Sequence, residues 1–534
     1  MNLRNSLIEV INYLSATYNI VSETAEDDID AKKFYAEKIR QYIKKDPVQL
    51  LFATVNLAIF YCDQAWKNEY NPDLIKVNSL MQFAKNCLSS LDDDCVLIIK
   101  KQLDQVSATC VYFIYNWEKR HIQQSDEVVQ EWLDAFNDDD KSNKEKLLKI
   151  RQKFSTQIEE LIEPSINDLF QIYQNCFVGV KNLLSDIFSQ SLRHMDEVPC
   201  EYAYVISGSH ARLLGTPWSD IESFLIIQDQ KYQAFFLERM KIFICKIYNF
   251  GETILPAYGL NHLQVGQVFD DYAKNGFAFD WDGVGQKTPF GTRKNGKIIY
   301  RLTGSIDYLF NLTLNMKNND QDYLIQILST TKLICGDKYL YWQFKNKFFI
   351  KKENNFFIRK FRMETENAIK EIYSLEKNKN ADKKNQYYRP ISMLIENLYN
   401  LHGQQDESSP YIKIMWLYAH NIIDKDQKNI LSSCLTQVLH MRARQAIYFS
   451  EQKTEINESF PGFKSLLASL SSLKQVLTNF IEKFNAYDRK MLFNEHRFFV
   501  ARQKIFNKSE EKENFINEKL ISPHFLRPGK NFSA

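Results

Sequence analysis

The chain has 534 residues, 44% of them apolar and 25% charged, which is the make-up of a globular protein large enough for two to four domains. A net charge of +2 leaves no global basic field and argues against a nucleic-acid partner. The nine cysteines are scattered without a Cys-x-x-Cys pair, which argues against a disulfide framework or a zinc site and fits reduced thiols in a cytosolic setting.

Glycine (16) and proline (12) are scarce, so long helices are expected. The expected class is α+β and mostly helical, with a small mixed sheet flanked by N-terminal and C-terminal helical regions. Residues 1–135 read as an N-terminal helical domain. Leu50, Leu51, Ala53, Val55, Leu57, Ala58, Phe60 and Tyr61 form its most apolar run, and Val96, Ile98, Ile99, Leu103, Val106 and Val111 keep helical spacing. No apolar run approaches the roughly 18 residues of a membrane span, and Met1–Glu9 has no apolar signal region. The polar run Asn137–Lys144 is the best linker candidate. Its acids are spaced loosely like a calcium loop, without the central glycine and terminal glutamate such a loop needs.

Residues 145–340 read as the core. A helical pattern runs from Lys146 to about Arg193, and Pro199 breaks it. Tyr202–Ile206 reads as a strand, followed by the turn Gly208-Ser209. A second strand extends from Asp220 through Ile227, an amphipathic helix follows over Tyr232–Ile247, and Gly276–Asp280 reads as a third strand. Residues 341–505 read as a C-terminal helical domain, with a helix over Ile430–Gln452 and an exposed loop at Lys377–Asn385. Residues 506–534 form a polar tail. The lysine- and phenylalanine-rich run from Phe344 to Arg362 is most simply an amphipathic helix with its rings in the core.

The chemistry gathers around Ser207–Glu222. Asp220 and Glu222 are two apart in an extended segment, so their side chains share a face. Two carboxylates so placed repel each other unless a cation lies between them, and hard oxygen donors suit magnesium or manganese. Asp280, at the end of the third strand, is the natural third ligand or general base, with Asp282 as an alternate. Gly208 lets backbone N–H groups approach a phosphate, Ser209 adds a hydroxyl, and Arg212 is a candidate phosphate partner. A lone Gly-Ser turn or a lone Asp-x-Glu is more often structural. The reading rests on their conjunction with an apolar strand and a third acid.

These residues resemble the nucleotidyltransferase superfamily that includes DNA polymerase beta. The spacing Gly208-x11-Asp220-x-Glu222 looks like the glutamine-synthetase adenylyltransferase type, and within it like the adenylylating bacterial effectors of the DrrA (SidM) type. Pro289-Phe290-Gly291-Thr292 after Asp280 is similar to that group's glycine-rich loop. Ile325–Asp337 resembles the helix and turn that follow, and Tyr388-Arg389-Pro390 the start of a later helix. The resemblance spans about residues 145–450. It implies a metal-dependent adenylyltransferase that carries AMP from ATP to a hydroxyl of a host protein, with a small GTPase as the target class. Asp220, Glu222 and Asp280 would be catalytic and metal-binding, with Mg2+ or Mn2+. Gly208, Ser209, Arg212, Ser219 and Arg389 would contact the nucleotide, and the N-terminal helices would hold a partner. Ser509–Glu513 resembles the glutamate-rich tail of proteins exported by type IV secretion, which implies a secreted effector acting in host cytoplasm. Glu222 stands where the group has aspartate, His210 where it has an apolar residue, and Arg293 where it has proline. The competing expectation is a catalytically degenerate fold kept as a binding module.

Overall fold

The computed structural model describes residues 3–18, 28–43, 45–70, 72–88, 95–117, 125–193, 197–252, 276–279, 292–294, 297–315, 330–350, 389–401 and 409–450, and the single positions 324, 328, 367, 474 and 478. All but the last two lie in one unit, Met1–Leu470. The protein is α+β and mainly α, with one small mixed sheet.

Five helices open the chain: α1 (Leu3–Tyr18), α2 (Asp28–Tyr42), α3 (Pro47–Lys67), α4 (Pro72–Leu88) and α5 (Cys95–Tyr115). Asp46 starts α3 by accepting the N–H groups of Val48 and Gln49, and Pro47 at the first position has no N–H to lose. α3 is the hub: it packs on α1, α2 and α4, with Leu50, Leu51, Val55, Leu57 and Ala58 fully buried. By length and composition α3 is apolar enough to cross a membrane, contrary to the expectation from sequence, and most of it is buried among its neighbours.

α6 runs unbroken from Asp126 to Glu159, capped by Ser125. The run expected to be a linker, Asn137–Lys144, is the middle of this helix. Val129, Leu133, Phe136, Asn143, Leu147, Phe154 and Ile158 are buried, at the spacing of one helix face. Asp140 shares that face. Asp140 and Asn143 interrupt its apolar pattern, which is why the segment reads as a break. Asn143 meets Gln190 at 2.8 Å. Asp140 accepts from Asn249 Nδ2 at 2.5 Å, and Asn249 Oδ1 accepts from Gln82 (2.8 Å) and Asn78 (3.2 Å). This buried network ties α4 and α6 to the end of α9 (Gln233–Tyr248). Pro164 then stops the chain, and Ser165 with Asp168 forms a capping box that starts α7 (Ile166–Leu192).

The sheet has the order β5-β2-β1-β6, from β1 (Tyr202–Ile206), β2 (Ser223–Ile227), β5 (Thr303–Gly304) and β6 (Lys332–Gly336). β1 is antiparallel to both β2 and β6, and β2 is parallel to β5. A separate hairpin is formed by β3 (Thr292–Lys294) and β4 (Lys297–Tyr300). Alternation sorts the side chains of the sheet. Ala203, Val205, Phe224 and Ile226 pack with Leu309 and Phe310 of α10 (Ile306–Asn315) and Leu340 and Phe344 of α11 (Lys338–Ile350). Tyr204 on the other face stacks on Phe188 of α7 and meets Phe243 of α9. Helices therefore cover both faces. Phe344 begins the lysine–phenylalanine run and is fully buried, as an amphipathic helix requires; residues 351–362 lie outside the described residues.

β1, β2 and the α9 helix match the sequence expectations. Lys332–Gly336, expected within a helix and turn, is instead the edge strand β6, its residues Lys332, Leu333 and Cys335 paired to β1. Three helices complete the description: α12 (Arg389–Leu401), α13 (Pro410–Ala419) and α14 (Lys425–Phe449). The buried Lys413 on α13 bonds Glu396 on α12, and Glu396 also accepts from Thr330 at 3.2 Å, which fixes these helices to the segment leading into β6. The side chains of eight of the nine cysteines are described, all of them free thiols.

Candidate functional site

The antiparallel pairing of β1 with β2 builds the site. Ile206 lies opposite Ser223, and the ladder continues one step beyond the strands, where Ser207 N–H donates to Glu222 O at 2.7 Å. The turn that leaves β1 and the acids that enter β2 are thereby adjacent, although fifteen residues separate Ser207 from Glu222.

Gly208 opens a single helical turn, α8 (Gly208–Ala211), with φ +66°, a conformation that suits glycine. A Cβ at this position would also collide with the Glu222 carboxylate, so the acid lies directly against the turn. The first bond of the turn runs from Ala211 N–H to Ser207 O, which leaves the N–H groups of Gly208, Ser209 and His210 outside its ladder.

The acid pair precedes the regular strand rather than lying within it. Ser223 is the first residue of β2, and Asp220–Glu222 is an extended lead-in. Burial alternates through it: Ile221 is fully buried while Asp220 and Glu222 are half-buried, so the two carboxylates share the more open side. Ile221 pairs in parallel with Phe279, and Ile221 N–H donates to Ala278 O at 2.7 Å. The chain expected as a third strand thus runs beside the acid pair up to Phe279. Asp280 itself lies outside the described residues, as do Asp282 and Pro289–Gly291.

Behind the acids the loop Gly215–Ser219 is held from three sides. Ser219 was expected to touch nucleotide; it is fully buried, and its hydroxyl accepts from Thr216 N–H (2.9 Å) and from Arg442 Nη2 of α14 (3.2 Å). His210 is 1% exposed, and its Nε2 lies 3.4 Å from Ser219 O. Burial pushes its pKa down to about 4, against the Ser219 carbonyl that pulls it up, so the ring is neutral. Gly215 has no room for a Cβ because the His210 ring occupies that space. Arg212 closes the α8 turn, and its Nε is buried without a hydrogen-bond partner among the described residues.

The third support is Arg151 of α6. Its guanidinium forks onto Glu252 at 2.5 and 2.6 Å and donates to Pro217 O at 3.3 and 3.2 Å. It also lies 5.1 Å from the Trp218 ring centroid. Neither Arg151, Glu252 nor Arg442 stands out in the sequence, because each is far along the chain from the residues it serves. Arg389 begins α12, with its side chain outside the described residues.

Two half-buried carboxylates beside a tight glycine turn are hard donors of the kind that hold magnesium or manganese, and the fit holds as far as these two ligands go. Among the described residues no group of three His, Cys, Asp or Glu side chains is placed to hold a metal. Comparison with protein-family models and with curated proteins found no match to this chain.

Proposed function

We propose that the protein is a nucleotidyltransferase that transfers AMP from ATP to a hydroxyl of another protein. The observation that carries this reading is the juxtaposition of the positive-φ Gly208 turn with the Asp220–Glu222 pair, beside the chain that leads into Asp280. Asp220 and Glu222 would hold a divalent cation, which when bound draws charge off the triphosphate. The N–H groups of Gly208, Ser209 and His210 would orient phosphate oxygens. The target hydroxyl would attack the α-phosphorus, forming a phosphoester and releasing pyrophosphate, while Asp280 is placed by sequence to take the hydroxyl proton. A small GTPase as target and type IV export into a host cell belong to the same proposal, and they rest on the resemblance alone.

One observation favours a second reading. The Glu222 carboxylate lies against the Gly208 turn, in the space that a side chain at 208 would fill. A longer acid that covers this turn fits a retired site whose fold serves as a binding scaffold.

Incubating the protein and host-cell lysate with ATP labelled on the α-phosphate, and with Mg2+ or Mn2+, separates the two. Transfer reads as a labelled protein band that Asp220→Ala abolishes. No labelled band with either metal, from folded protein, removes the enzymatic reading and leaves the scaffold.

A further inference from the structure

We propose that Arg151 is a positioning residue of this site: one guanidinium on α6 fixes both the loop that leads into Asp220 and, through Glu252, the segment that pairs with Ile221 between the two acids. The inference rests on the metal-dependent transfer reading above. Two of its contacts go to Glu252, and Glu252 Oε2 in turn accepts Phe277 N–H at 2.7 Å. Gly276, the residue before, cannot carry a Cβ without striking the same carboxylate. From Phe277 the chain passes through Ala278, whose carbonyl takes Ile221 N–H, to Phe279, the last residue before Asp280. The remaining contacts of Arg151 go to Pro217 O and the Trp218 ring, two residues from Asp220.

The chemistry requires arginine. A planar fork can meet a carboxylate with two parallel bonds, reach a carbonyl with the same plane and stack on an indole. A lysine at 151 supplies the charge but only one point of contact. Both Arg151 and Glu252 are mostly buried, at 17% and 19% exposure, so water does not substitute freely for either. A pair that only stabilised α6 would have no need to hold both the backbone that enters the acid pair and the segment lying beside it. When the fork is lost, only the Ile221–Ala278 backbone bond and the Ile221–Phe279 pairing still join the two segments, and the frame that carries the acid pair loosens.

The test is a Mn2+ titration followed by electron paramagnetic resonance, in the presence of a non-hydrolysable ATP analogue. Wild type, Asp220→Ala, Arg151→Gln and Arg151→Lys are compared, with near-ultraviolet circular dichroism as the check on folding. The expected result is that Arg151→Gln weakens Mn2+ binding about ten- to hundredfold, the range seen when groups supporting metal ligands are removed. Arg151→Lys is expected between it and wild type, and Asp220→Ala at the bottom. Wild-type Mn2+ affinity in folded Arg151→Gln, alongside loss in Asp220→Ala, overturns the positioning role and leaves the transfer reading standing. Equal Mn2+ binding by wild type and Asp220→Ala overturns the site, and the positioning role with it. If Arg151→Gln does not fold, Arg151→Lys decides: wild-type affinity in it overturns the proposal.

Discussion

Two acidic pairs in this chain are put to different uses, and the difference lies in what packs around them. Asp139 and Asp140 sit on α6, where Lys246 of α9 reaches both at 3.3 and 3.7 Å, Arg193 reaches Asp139, and Asn249 bonds Asp140. Lys246 is 2% exposed and also lies over the Phe136 ring. These acids are joints between helices. Asp220 and Glu222 stand half-buried at the mouth of the sheet, beside backbone N–H groups of a glycine turn. All four acids are half-buried; the first pair is engaged by cations and an amide between helices, while the second lies at the entry to the sheet, with Glu222 against a glycine turn.

The largest effect expected from this contrast is on stability at the first pair. Lys246→Met removes the buried cation that the two carboxylates share, leaving Asp139 with Arg193 and Asp140 with Asn249 alone, and is expected to cost about 3 kcal/mol in urea unfolding. Adding Asp139→Asn and Asp140→Asn in the same chain should recover much of that loss. A cost below about 1 kcal/mol for Lys246→Met would mean that the α6–α9 joint does not depend on charge.

Next in size is the pH response of His210, the buried ring behind the acids. Its folded pKa is lowered from 6.5 to about 4 by desolvation, so folding favours the neutral form. The contribution is complete above 6.5 and is lost as pH falls towards 4, a loss of roughly 3 kcal/mol. Unfolding midpoints measured between pH 7 and pH 4 should therefore fall more steeply for wild type than for His210→Gln. Parallel curves would show that the ring is not held neutral.

Smaller again is the effect of Gly208→Ala, about 1–3 kcal/mol from a strained positive φ together with the clash against Glu222. The same substitution in a Glu222→Ala background should cost less, because the steric part is relieved while the backbone part remains. A double-mutant cycle with no coupling would separate Glu222 from the turn. The smallest stability change is expected for Asp220→Ala, within about 1 kcal/mol, because a half-buried side chain at the entry to β2 is shortened without opening a cavity in the core.

The sequence carried the strand–turn–strand unit well, because an apolar run of strand length, a Gly-Ser turn and a second apolar run leave little choice of topology. Tyr202–Ile206, Ser223–Ile227 and the pairing that brings Gly208 to Glu222 all follow from that pattern. The middle of α6 looks like a linker in sequence because Asp140 and Asn143 occupy inward positions, and their partners at the end of α9 and on α7 are distant in the chain. β6 is not legible as a strand because local propensity does not report that Lys332–Gly336 lies beside β1. The supports of the site were hidden for the same reason. Arg151, Glu252 and Arg442 act across 101 and 223 residues of chain, and nothing local marks them. Ser219 has the place of a ligand contact in sequence, beside Asp220, whereas its buried hydroxyl closes the loop.

The most direct test of the central claim is the position of the metal. Crystals grown with Mn2+ and a non-hydrolysable ATP analogue, recorded at the manganese absorption edge, are expected to show an anomalous peak bridged by Asp220 and Glu222, with phosphate oxygens on the Gly208–His210 turn. A nucleotide bound elsewhere, or no peak at these two carboxylates while Glu222 stays folded against Gly208, would contradict the account.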